Sequence, residues 1–189
     1  MVLAQGHKYK VIKQKPYCCV LACISIILDR RGISHGSQEE IGYKLGLIVP
    51  PEDAHFFERV RTGPKPLAGY GTQVSKARYS INSFFRKAGI NLKETYYWIE
   101  DIKTPKRFIA DQLASGNDIM VCFNYKALYG RGDWGHVSII ESMDNDTVTL
   151  IEPGKNSPSR RKVSIDKLLH AMEVHGRPRR GGLWIIEAV

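Results

Sequence analysis

A cysteine at the head of an apolar helix, a histidine at the head of a later strand and a carboxylate closing the next strand are materials for thiol chemistry. In this sequence the run Gln14-Lys15-Pro16-Tyr17-Cys18-Cys19 leads into a long apolar stretch, Gly135-His136 opens a β-rich one, and Glu152-Pro153 closes the next. A thiol at a helix N-terminus meets unpaired amides and the positive end of the helix dipole, both of which favour the thiolate. A neighbouring imidazolium completes a nucleophilic pair. A third group must hold the imidazole in the right tautomer. The oxyanion formed when a thiolate attacks a carbonyl needs donors, and a glutamine amide with the cysteine N–H supplies two. Gln14, a cysteine of the Cys18-Cys19 pair, His136 and Glu152 fill those roles in order.

The elements that must position them are legible from pattern. Residues 9–12 form a short strand or an extended lead-in, and Pro16 stops any helix before Tyr17. Residues 18–31 are apolar around most of a helix circumference, which predicts burial in the middle of the fold, and Gly32 is a natural stop. Ser37 and Glu40 have capping-box spacing, predicting a second helix to about Leu45. Residues 46–75 carry Pro50, Pro51, Gly63, Pro64, Pro66, Gly69 and Gly71 and read as a long, ordered surface segment of the kind that walls a cleft. A helix over 75–88 ends at Gly89.

Strands dominate thereafter. They are predicted over 94–99, 118–125 and 183–189, with helices over 105–115 and 164–174, the latter capped by Ser164. Residues 136–141 and 147–152 form a hairpin turning at Asp144-Asn145-Asp146. Arg179-Arg180-Gly181-Gly182 reads as a turn into the last strand. Helices gather early and antiparallel strands late, so the class is α+β with two halves facing one another.

Composition narrows the function classes. A chain of 189 residues suits one domain and buries a core without staples. No apolar run approaches the roughly 18 residues a membrane span needs, and the first residues lack the pattern of a secretory signal, so a cytoplasmic protein is expected. Three of the four cysteines crowd into one helix, a poor framework for disulfides or structural zinc. Reduced thiols are expected, with no metal and no cofactor; Cys23 and Cys122 read as core. The formal charge of +9 concentrates late, in Lys155, Arg160, Arg161, Lys162, Lys167, Arg177, Arg179 and Arg180. No aromatic-interleaved or zinc-finger pattern accompanies it, so a solvated basic face is expected rather than a nucleic-acid site.

The run from Gln14 to Cys23, continued through Ile24 to Gly32, resembles the active-site helix of the papain-like bacterial peptidases, nearest the bacteriocin-processing peptidases that cut leader peptides after a double glycine. Pro16-Tyr17-Cys18 also resembles the same region of the more distant phytochelatin synthases. Gly135-His136-Val137-Ser138-Ile139-Ile140 is similar to the family's histidine strand, and Glu152-Pro153 stands where the family has Asp-Pro. The resemblance implies a single papain-like cysteine peptidase domain over 1–189, its N-terminal helical half packed on a C-terminal antiparallel β-sheet. It implies Cys19 as nucleophile, His136 as base, Glu152 as orienting group and Gln14 as oxyanion donor. Cys19 is favoured over Cys18 because Ala22 and Cys23 then fall where the family has small residues. Trp134 and Cys18 are expected to touch a peptide or amide substrate, and the acyl-enzyme can pass to water or to an amine. Two departures stand out. Val20 replaces a glycine and is expected to crowd the thiol, and Glu152 replaces an aspartate. An inactive papain-like binding module and a basic nucleic-acid-binding protein are the competing readings. The remaining histidines, His7, His35, His55, His170 and His175, are expected at the surface.

Overall fold

The structure is a computed structural model and describes residues 9–67, 69–154 and 159–189. Its first helix decides the architecture. In α1 (Cys19–Arg30) all nine residues from 20 to 28 are buried, Ser25 included. Such a helix has no face to give to water, so it must be enclosed. On one side it shares a core with α2 (Gln38–Lys44) and α3 (Ile81–Ala88), through residues such as Ile41, Ile81 and Phe85. On the other side lies a six-stranded sheet.

Between α2 and α3 a small parallel pair, β1 (Ile48–Val49) and β2 (Arg61–Thr62), brackets a 3-10 turn, Pro51–Phe56. The main sheet comprises β3 (Leu92–Tyr97), β4 (Asp118–Asn124), β5 (Gly135–Asp144), β6 (Thr147–Glu152), β7 (Ser159–Ser164) and β8 (Gly182–Ala188). Its order is β3-β8-β4-β5-β6-β7, and every neighbouring pair is antiparallel. The C-terminal strand thus lies in the interior of the sheet. Strand periodicity sends Met120 and Cys122 of β4 toward the α1 core, and Ile119, Val121 and Phe123 to the opposite face. That second face is covered by α4 (Pro105–Ala114), α5 (Tyr125–Tyr129) and α6 (Ile165–His175). The α+β class holds, with the early helices on one face and the late ones on the other. Among the described residues no helix is long and apolar enough to cross a membrane.

Local signals explain most boundaries. The Ser37–Glu40 capping box forms in both directions. Gly32, Gly89 and Gly116 all take positive φ just past helix ends, where a Cβ is penalised. Arg180 is left-handed at the turn into β8, and a Cβ on Gly182 would lie 2.4 Å from the Tyr97 carbonyl oxygen. The expected turn at 179–182 is what the chain makes.

Three expectations need correction. α3 starts at Ile81, not near 75, because the Ser80 hydroxyl caps it by accepting from Ser83 N–H at 3.1 Å and a separate 3-10 turn precedes it. β7 carries Ser-Arg-Arg-Lys-Val-Ser and was not expected as a strand; it is the charged edge of the sheet, and edge strands commonly carry charge against unwanted pairing. His175 is not a surface residue: it is buried against Gly135, and burial together with the charge of Arg179 holds its pKa down. His35 is half-buried, whereas His55 and His170 are exposed as expected. His7 and Lys155 lie outside the described residues.

Candidate active site

The lead-in to α1 is fastened before the helix begins. Gln14 N–H donates to the Pro153 carbonyl at 3.1 Å, and Lys15 N–H donates to Gln38 Oε1 at 3.1 Å. Cys18 N–H closes a turn on the Lys15 carbonyl at 3.1 Å. Tyr17 has a left-handed backbone, φ 61°, and its hydroxyl donates to Asp53 Oδ2 at 2.6 Å. A tyrosine in that conformation is held by its surroundings, and the 3-10 turn of the long 46–75 segment supplies the hold. That segment therefore braces the start of the helix.

Cys18 and Cys19 are separated by this geometry. Cys18, the residue just before the helix, is fully buried, and burial pushes its thiol far up. The expectation that Cys18 touches substrate is therefore corrected: its side chain lies in the α1 core. Cys19, the first helical residue, is partly exposed and is hydrogen-bonded to His136. Val20 also departs from expectation. It is 6% exposed and belongs to the core, so it does not crowd the thiol from the cleft.

His136 is 6% exposed and its Nε2 lies 2.8 Å from Glu152 Oε2. The ring is thus oriented with Nδ1 left for the thiol. Burial works against a charged imidazole, yet the hydrogen bonds to Cys19 and Glu152 and the Glu152 charge raise its pKa to about 10. Phe123 and Tyr125 meet the ring edge-on, with centroids 5.6 and 5.4 Å away, and fix its plane.

Glu152 is nearly sealed from water. Its Oε1 accepts from Tyr129 Oη at 2.6 Å and from Ser138 Oγ at 2.8 Å, while Oε2 faces His136. Burial alone would raise the carboxyl; the His136 interaction and the two hydroxyl donors outweigh it and hold the pKa below the usual carboxylate range. The extra methylene relative to aspartate is accommodated without loss of the hydrogen bond to the ring. Tyr129 and Ser138 were missed in the sequence. Ser138 follows His136 by one period of the strand and so shares its face. Tyr129 sits on α5, a single short turn capped by Asn124 and closed by left-handed Gly130, too brief to show a helical period.

Two further residues complete the neighbourhood. Gln14 Oε1 is buried without a hydrogen-bond partner among the described residues, so that end of its carboxamide is uncommitted. Trp134 is 56% exposed and stacks on Tyr125, with centroids 5.2 Å apart and planes at 18°. It lies one aromatic ring removed from His136 and is not a core anchor. Among the described residues no group of three or more His, Cys, Asp or Glu is placed to hold a metal ion.

This arrangement sits on a scaffold with solved counterparts. No family model matches the sequence, and no curated protein matches it. A crystal structure from Bacillus anthracis described as a C39-like peptidase superposes with a TM-score of 0.60 at 15% identity, covering 96% of this chain and 94% of that one. The chain has the fold of the C39-like peptidases. A double glycine motif protease from an AMS/PCAT transporter, solved with the leader peptide, superposes with a TM-score of 0.53 at 13% identity over 98% of this chain and 96% of that chain. Within this C39-like fold, the Tyr129 phenol is forced up by burial and by the Glu152 carboxylate beside it, so it stays a donor across the accessible pH range. Replacing Tyr129 by phenylalanine removes one hydrogen bond to a buried charge, worth about 1.5–3 kcal/mol. The expected result is a fall of roughly tenfold or more in the rate at which iodoacetamide labels Cys19, with an unchanged far-UV circular dichroism spectrum. An unchanged labelling rate would show that Ser138 alone suffices to hold Glu152.

Proposed function

We propose that this chain is a thiol enzyme that cleaves or transfers peptide or amide acyl groups. The observation that carries the reading is His136, held by Glu152 on one ring nitrogen and hydrogen-bonded to a partly exposed Cys19 at the start of a buried helix. In the first half-reaction Cys19 Sγ attacks the substrate carbonyl carbon. The oxyanion is met by the Cys19 N–H and the Gln14 carboxamide. His136 gives its proton to the departing amine as the C–N bond breaks, leaving a thioester. In the second half-reaction His136 takes a proton from water or from an acceptor amine as it attacks the thioester, and the thiol is released. Glu152 keeps the imidazole in register throughout, and Tyr129 and Ser138 keep Glu152 in place. Trp134 offers an exposed aromatic face beside the pair for a substrate side chain. A peptide substrate is supported by the similarly folded protease solved with a leader peptide. Four free cysteines suit a reducing compartment, which supports a cytoplasmic location as part of this reading.

The test is a brief iodoacetamide pulse followed by peptide mass spectrometry. Rapid labelling is expected at Cys19, with Cys18, Cys23 and Cys122 slow because burial keeps all three protonated. Cys19→Ala should abolish the rapid label and Cys18→Ala should retain it. The opposite pattern would overturn the assignment. Supplying amines in excess then separates the two fates of the acyl-enzyme: hydrolysed product alone excludes transfer to those amines.

A further inference from the structure

On the face of the sheet carrying α5 and α6, an open depression of about 530 Å³ is lined by Arg161, Lys162 and Lys167, by the hydroxyl-bearing Tyr129 and Ser164, and by two aliphatic side chains. No carboxylate lines it. The two acids nearest the start of α6, Asp146 and Asp166, are both drawn to Lys106. Ser164 caps α6, an eleven-residue helix, so the positive end of that helix adds to Arg161 and Lys167, while Lys162, the next residue of β7 after Arg161, sends its side chain to the other face of the strand. The guanidinium of Arg161 lies 5.2 Å over the Tyr129 ring and, among the described residues, has no ion pair. A concave site faced by Arg161 and Lys167, with no acid among its described lining residues, holds a positive potential that an anion lowers.

We propose that this depression binds the phosphate group of a small molecule, and that Tyr129 carries its occupancy to Glu152. The first half stands on the pocket alone; the second rests on the thiol-enzyme reading above. The chain of contacts is short. Arg161 covers one face of the Tyr129 ring, the Tyr129 hydroxyl donates to Glu152 Oε1 at 2.6 Å, and Glu152 Oε2 lies 2.8 Å from His136. An anion that draws the guanidinium toward itself changes the packing of the ring that positions the carboxylate.

The distribution of charge favours a small ligand over a nucleic acid. A nucleic-acid track needs a row of free cations. Here three of the other late arginines are spent: Arg160 pairs with Glu141 at 2.8 Å, Arg177 with Asp101 at 3.1 Å, and Arg180 with buried Glu94. What remains is one local cluster rather than a stripe.

Inorganic pyrophosphate is the probe, titrated calorimetrically into the full chain. Saturable one-to-one binding is expected, weakened about tenfold or more by Arg161→Ala and by Lys167→Ala, since each loses a charge-assisted contact. Arg107→Ala, an exposed charge on α4, should leave it unchanged. Absence of binding, or equal weakening by all three variants, overturns the site. A single-stranded oligonucleotide that binds more tightly than pyrophosphate and is equally weakened by Arg177→Ala overturns the small-molecule assignment. For the coupling, the iodoacetamide rate at Cys19 is measured with and without saturating pyrophosphate. A change of about twofold or more in the parent chain and none in Arg161→Ala is expected; equal rates in the parent chain overturn the coupling. If Cys19 reacts no faster than Cys122 without any pyrophosphate, the thiol-enzyme reading fails while the calorimetric result stands.

Discussion

Replacing Glu152 by glutamine is expected to lower kcat/KM by about 10²–10⁴-fold and to move the alkaline limb of its pH profile to lower pH, with little loss of fold. The two oxygens of Glu152 have different duties. Oε1 receives Tyr129 and Ser138, both donors, whereas Oε2 faces His136 Nε2. A glutamine that keeps its carbonyl oxygen toward the two hydroxyls lets both go on donating as they do to Glu152. Its amide nitrogen then faces the ring, and two donors cannot share one hydrogen bond. His136 Nε2 must become the acceptor, which moves the proton to Nδ1, the nitrogen that has to receive the thiol proton. The wrong tautomer is therefore built in.

The pH shift has a definite sign. Glu152 raises the pKa of His136, so in the parent chain the imidazolium persists through neutrality and is lost only as pH rises through about 10. Removing the carboxylate charge lowers that value, and the limb in which His136 can no longer protonate a leaving amine moves down. The same linkage applies to stability. The contribution of the raised histidine is complete below its unfolded pKa, about 6.5, and fades as pH rises through about 10. A variant whose profile drops uniformly in height without shifting would mean that Glu152 orients the ring sterically and not through its charge.

What the sequence made legible follows strength of pattern. α1 could be read because its apolar residues run almost without interruption, and α2 because Ser37 and Glu40 sit at capping distance. The placement of Cys19 at the first turn of α1 and His136 near the start of β5 followed from those elements, which is why the structure brings the two together. β7 was hidden because its only apolar residue is Val163, and an edge strand takes its order from a neighbour's backbone rather than from its own side chains. Tyr129 was hidden for a different reason. Its role depends on a distance to Glu152 across 23 residues, made by a helix too short to show periodicity. The burial of Val20 and Cys18 depended on the direction each takes from a turn that Tyr17 enters in a left-handed conformation. Spacing says nothing about that.

The largest effect on stability is expected at Asp118, far from the thiol. This carboxylate is 0% exposed at the head of β4. It accepts from Tyr9 Oη at 2.5 Å and from Arg31 Nε at 2.5 Å, and also pairs with Arg30. Three parts of the chain meet there: the lead-in at Tyr9, the C-terminal end of α1, and the centre of the sheet. The Arg30 guanidinium also lies over the Tyr9 ring, 4.9 Å from its centroid, so the cluster is closed on itself. Breaking a buried pair by removing one partner costs about 3–5 kcal/mol, because the remaining charge is stranded. In Asp118→Ala two guanidiniums whose side chains are only 20% and 19% exposed lose their counter-charge together, and a buried phenol loses its acceptor. For a chain of this size each kcal/mol lowers Tm by roughly 2–4 °C. Asp118→Asn should fall between the two, since its amide still accepts from Tyr9 but cancels no charge. Thermal denaturation followed by circular dichroism measures both. If Asp118→Ala melts within about 2 °C of the parent, the arginines have found water instead, and the cluster fixes the position of α1 on the sheet without stabilising the fold.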